Sequence, residues 1–147
     1  MIWIPCDPHE IEECERVGEI PLCHADGILS AIDDETLLLS NYIDYDLDYR
    51  AELLSRLSQY FKIKELSFGS ARTENSWIYI NYLRIGDVVL LPVLGEPADE
   101  LAIKQIKEYL NTDKVFGIPS KYLTFNEENG GGSLHCISWN IYRFHTN

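Results

Sequence analysis

The feature that most constrains the fold of this 147-residue chain is a repeated plan of strand, strand, helix, strand. From His24, "HADGILSAI" reads as a strand, Asp33 to Thr36 as a turn and "LLLSNY" as a second strand. "DYRAELLSRLSQYF" then sets Leu53, Leu54, Leu57 and Phe61 at helical spacing, and "KIKELSF" alternates as a strand. The plan returns in "SWIYINYLRI", the turn Gly86-Asp87 and "VVLLPVL". Pro97 and Asp99 open a helix, "ADELAIKQIKEYL", with Leu101, Ile103, Ile106 and Leu110 apolar, and "KVFGI" closes the unit. "SLHCISWNIYRF" begins a third copy as one strand. The chain therefore reads as α/β, with about two and a half ββαβ units of roughly 50 residues each. Units of this kind bury their faces against neighbours and normally come in threes or more, so the pattern predicts a partner, a second copy or a further portion of chain.

Composition sets the class. At 46% hydrophobic the chain has the size and core of one domain spanning residues 1–147. No apolar run approaches the roughly 20 residues of a membrane helix, and "MIWIP" is followed by "CDPHEIEE" rather than a cleavage site, so a soluble cytoplasmic protein is expected. Cys6, Cys14, Cys23 and Cys136 form no CxxC pair, and the expectation is free thiols in a reducing compartment, with Cys6, Cys14 and Cys23 as ordinary small residues. A net charge of −12 argues against nucleic acid or an anionic membrane as partner and would draw a cation.

The chemistry concentrates near "NGGGSLHCISWN", where Gly130, Gly131 and Gly132 lead towards Cys136. The glycines are either a hairpin tip or clearance for a ligand approaching the backbone. On a strand, Cys136 shares a side with Leu134 and Ser138, whereas His135 points away with Ile137 and Trp139. A thiol attacks as thiolate, so its base must come from elsewhere: His9, His24 or His145. His24 stands out because Asp26 follows at i+2, on one face of the expected strand; the alternative is a polar strand end satisfied locally. A zinc site from Cys136, His24, His135 and Asp26 is disfavoured because no second spaced pair exists, and no metal or cofactor is expected. Trp77 and Tyr79 read as alternating on one strand face, and the aromatics Tyr42, Tyr45, Tyr49 and Tyr82 as packing residues or a cation-binding wall. "DYDLDY" reads as the solvated start of a helix.

With "HADG" opening one repeat and "GGGSLHC" another, the chain resembles the agmatine deiminase and bacterial peptidylarginine deiminase family, within the guanidine-modifying α/β-propeller superfamily. The intervening "YINYLRIGDVVLLPVLGEPADELAIKQIKEYL" is similar to that family's strand pair followed by a D-E-x-A helix, and the likeness runs from about Trp3 to about Arg143. The resemblance implies a pentein-like fold of five blades around a central axis, of which this chain is a C-terminal part. It implies that Cys136 attacks the central carbon of a guanidinium group. His24 would protonate the departing ammonia and then activate water against the covalent thiouronium intermediate. Asp26 would hold a guanidinium nitrogen, with Gly130, Gly131 and Gly132 beside the substrate.

The implied partner is a cationic guanidino small molecule, agmatine first, or an arginine side chain, with a link to putrescine biosynthesis. His135 is expected to orient its strand by packing. The family's further acidic grip on the guanidinium lies in an N-terminal W-x-R-D-like motif that this sequence lacks. Asp7 and Glu96 are acidic groups available to substitute, but nothing in the sequence places them. The alternatives are a truncated, non-catalytic relative that binds a cation or completes a propeller by assembly, and an amidinotransferase running the same Cys and His chemistry.

Overall fold

A computed structural model describes residues 3–21, 23–124 and 132–138. Helix α1 (Pro8–Val17) precedes two ββαβ units. In the first, a single helical turn α2 (Ala25–Ile28) leads into β1 (Leu29–Ala31), which pairs antiparallel with β2 (Thr36–Leu39), Leu29 opposite Leu39. Helix α3 (Leu47–Leu57) then crosses over, so that β3 (Lys62–Glu65) returns parallel to β2. A parallel neighbour needs such a crossover, and a helix supplies it. The second unit repeats this with β4 (Leu83–Ile85), β5 (Val88–Val93), α4 (Ala98–Leu110) and β6 (Val115–Pro119), followed by the short α5 (Lys121–Thr124). The result is two separate three-stranded sheets, β1-β2-β3 and β4-β5-β6.

Strand periodicity explains how the units join. In β2, Leu37 and Leu39 face a core built with Ile28, Tyr42, Tyr49, Leu53 and Leu57. Leu38 points the other way, into the larger core around Ile78, Tyr79, Val89, Leu91 and Ile106. One strand thus feeds two cores, because successive side chains leave opposite faces. Helix α4 lies close on its sheet because Ala98 and Ala102 share its buried face with Ile106 and Leu110, while Leu101 is left partly exposed.

The expected strands at the start of the first two units form only in their later parts, as β1 and β4, and the end of the third lies outside the described residues. His24 to Ile28 closes a helical turn, with Gly27 N–H donating to the His24 carbonyl. Ser76–Ile80 is a 3-10 turn, so Trp77 and Tyr79 do not alternate on a sheet face. "SLHCIS" is likewise a turn over Leu134 to Ile137. Ile78 through Tyr82 are all buried, which a strand with one wet face cannot achieve. Among the described residues no strand pairs with these segments, and their backbone groups are met within the turns and, for His135, by Asn81.

Two more expectations fail for reasons invisible to pattern. Cys6 and Cys23 are joined in a disulfide, with their Cα atoms 4.8 Å apart, rather than being separate small residues. Helix α1 has no buried residue, so polar ties hold it instead: Glu10 accepts from the Cys23 N–H at 2.8 Å and the Pro5 carbonyl accepts from the Tyr49 hydroxyl at 2.8 Å. Nor is the run from Asp44 wholly solvated. Asp44 accepts from Ser67 Oγ and the Phe68 N–H, and Asp46 caps α3 by accepting from the Tyr49 N–H. Among the described residues no helix is long and apolar enough to cross a membrane.

Asp99 ties the second unit together: its carboxylate accepts from the N–H groups of Leu94, Gly95 and Glu96 and from the Tyr79 hydroxyl. Asp99→Ala strands these donors and is expected to lower unfolding free energy by about 2–3 kcal/mol in urea titration, whereas a loss under about 0.5 kcal/mol would contradict this assignment.

Candidate active site

Three residues spaced 55 apart, Asp26, Asn81 and Cys136, meet at one point. Each sits in the inward turn that opens its repeat, so the repeat places one polar side chain per unit near the common centre. Asn81 is the hub, at 1% exposure. Its Nδ2 donates to Asp26 Oδ2 at 2.9 Å and to Cys136 Sγ at 3.3 Å, and its Oδ1 accepts from the N–H of His135 at 2.9 Å and of Cys136 at 3.3 Å. The Cys136 thiol donates to Asp26 Oδ2 at 3.3 Å. Pattern reasoning left Asn81 inside a quoted strand; the 55-residue interval from Asp26 and to Cys136 was the available signal.

His24 caps the turn carrying Asp26, and its Nδ1 lies 3.9 Å from Asp26 Oδ1. The expected proximity of His24, Asp26 and Cys136 therefore exists, though a helical turn creates it rather than a shared strand face. His135 does not point away from the cysteine's surroundings: its Nδ1 lies 3.3 Å from Asp26 Oδ2, the oxygen that Cys136 also contacts. In a turn, adjacent residues need not face opposite ways, so the strand argument does not apply.

The electrostatics follow from this crowding. Burial disfavours the charge on Asp26, but hydrogen bonds from Cys136, His135 and Asn81 outweigh it and hold the carboxyl below its usual range. Cys136 moves the opposite way. Burial and the neighbouring Asp26 charge raise its thiol above the ordinary value, despite hydrogen bonds from Ser133 and Asn81. The resting site is a carboxylate beside a protonated thiol.

A cavity of about 590 Å³ opens over this cluster, with His24, Asp26, Asn81, Gly132 and Cys136 on its wall. Gly130 and Gly131 lie outside the described residues. Asp7 lines the same cavity, caps α1 by accepting from the His9 N–H, and accepts the Tyr42 hydroxyl at 2.5 Å. Burial beside Asp7 pushes Tyr42 far above the normal phenol range, so it remains a donor. Glu96 is elsewhere, accepting from Thr73 Oγ1. Trp77 and Tyr45 also reach the cavity, and the guanidinium of Arg72 rests 4.1 Å over the Tyr45 ring. Among the described residues no cluster of His, Cys, Asp and Glu is arranged to hold a metal ion.

This architecture is that of the deiminase α/β-propellers. It matches the solved agmatine deiminase of Enterococcus faecalis with a TM-score of 0.59 at 18% identity, over 89% of this chain and 47% of that one. The C. jejuni agmatine deiminase matches with a TM-score of 0.59 at 19% identity, over 87% of this chain and 44% of that one. In sequence, a Streptococcus mutans protein provisionally named an agmatine deiminase is 33% identical over 60 residues, 41% of this chain and 15% of that one. The chain belongs to the Porphyromonas-type peptidyl-arginine deiminase family, whose sequence model matches residues 18–141. It spans less than half the length of these solved relatives.

With the thiol raised by burial and by Asp26, it stays neutral until pH exceeds that raised value. Alkylation of Cys136 by iodoacetamide is therefore expected to reach half its maximal rate at higher pH than an unperturbed thiol, and Asp26→Asn to bring that midpoint down. A wild-type midpoint at or below the ordinary thiol value, read by mass mapping of the Cys136 peptide, would contradict this.

Proposed function

We propose that this chain carries the thiol side of a deiminase-type hydrolase that acts on the guanidinium group of agmatine, or of arginine including peptidylarginine, and releases ammonia. The observation that carries the reading is the meeting of Cys136 Sγ, Asp26 and His24 at one cavity, with Asn81 bridging the first two. A guanidinium is a planar cation with N–H donors in a fixed fork, and a carboxylate held ionised suits it. Asp7 and Glu74 add acidic groups to the same cavity, which favours a cationic ligand.

In this reading the bound cation offsets the charge of Asp26, and Cys136 passes its thiol proton to His24 as Sγ attacks the central carbon. His24, protonated, gives its proton to the departing nitrogen, and the C–N bond breaks to leave ammonia and a thiouronium. Neutral His24 then takes a proton from water, whose oxygen attacks the same carbon. The C–S bond breaks as His24 returns that proton to the departing Sγ, and the ureido product leaves, its hydroxyl proton going to ammonia or solvent. One imidazole thus serves as base and as acid in turn. With agmatine as substrate the product would feed putrescine formation.

Each three-stranded sheet has edge strands with no sheet partner among the described residues, which favours a compatible reading in which a second copy or a further portion of chain completes the propeller. Ammonia release from agmatine is the test. The wild type is expected to exceed Cys136→Ala by at least about a thousandfold, the usual order for loss of a nucleophile. Equal rates would overturn the assignment of Cys136.

A further inference from the structure

We infer that His135 sets the reactivity of Cys136 through the carboxylate of Asp26, as a positioning residue outside the substrate cavity. The inference rests on Cys136 as the reacting thiol. His135 Nδ1 and Cys136 Sγ each lie 3.3 Å from Asp26 Oδ2, so one oxygen is shared by an imidazole and a thiol. The two approach it from different spaces. Cys136 lines the large cavity, whereas His135 lines a separate one of about 200 Å³ with Ser30, Ile80 and Asp26. Asp26 is common to both.

The charges facing Asp26 define the coupling. Oδ2 meets Cys136, His135 and the neutral amide of Asn81; Oδ1 faces His24 at 3.9 Å. A proton on His135 places a cation against the oxygen whose negative charge adds to burial in keeping the thiol neutral, and so favours the thiolate. When His135 is neutral that help is lost. His24 faces the substrate cavity. His135, with its side chain 57% exposed, lines the smaller cavity and not the large one.

Iodoacetamide alkylation, followed at the Cys136 peptide so that Cys14 does not contribute, tests this without requiring turnover. His135→Asn is expected to slow alkylation about fivefold at pH 6, and by less than about twofold at pH 9. In an Asp26→Asn background the same substitution is expected to change the rate by less than about twofold at either pH. Slowing by the same factor at both pH values, or equal slowing in both backgrounds, would mean that His135 acts only by packing and would overturn the inference, as would no slowing at all. His135→Gln repeats the measurement with a different side-chain length, and circular dichroism of each variant checks the fold. Failure of agmatine turnover would count against the proposed substrate while leaving this coupling readable.

Discussion

The buried carboxamide of Asn81 is the interaction on which the site depends. It bonds Asp26 from the first repeat and the backbone of His135 and Cys136 from the third turn, while its own chain belongs to the second. An amide at 1% exposure cannot fall back on water, and an unmet polar group there would cost about 1–3 kcal/mol. The bonds that satisfy it also fix where the thiol stands relative to the carboxylate. Packing of apolar faces brings the repeats together, and this amide specifies their meeting point.

A tension follows from that meeting. Asp26 is held ionised and Cys136 is held neutral, each partly because of the other. A positive charge at the shared oxygen would relieve both, and the carboxylates of Asp7, Asp26 and Glu74 line the cavity together with Arg72. Its aromatic wall already carries a guanidinium, that of Arg72 over Tyr45. Asp7 enters because a disulfide from Cys6 to Cys23 anchors an otherwise unburied α1 beside His24.

Much of the fold was legible where periodicity is strong. Helix α4 covers "ADELAIKQIKEYL" as its apolar spacing requires, and both hairpins turn where Asp33 to Thr36 and Gly86-Asp87 signal them. The segments that build the site were misread as strands, because "HADGIL", "SWIYI" and "SLHCIS" are apolar enough for a sheet while their backbones curl inward. That error also turned His135 away from Asp26. The Cys6–Cys23 bond, at a separation of 17 residues, had no spacing signature.

By itself the sequence determined the repeated ββαβ plan, through alternation and helical spacing, and it nominated Cys136, His24 and Asp26 as the candidate thiol, imidazole and carboxylate. Only the tertiary structure decided that Asn81 joins them, that His135 shares an oxygen with the thiol, and that Asp7 faces their cavity while Glu96 does not. Periodicity is a local property of a segment's faces. Contacts between residues 55 and 110 positions apart depend on how whole repeats pack around a common centre.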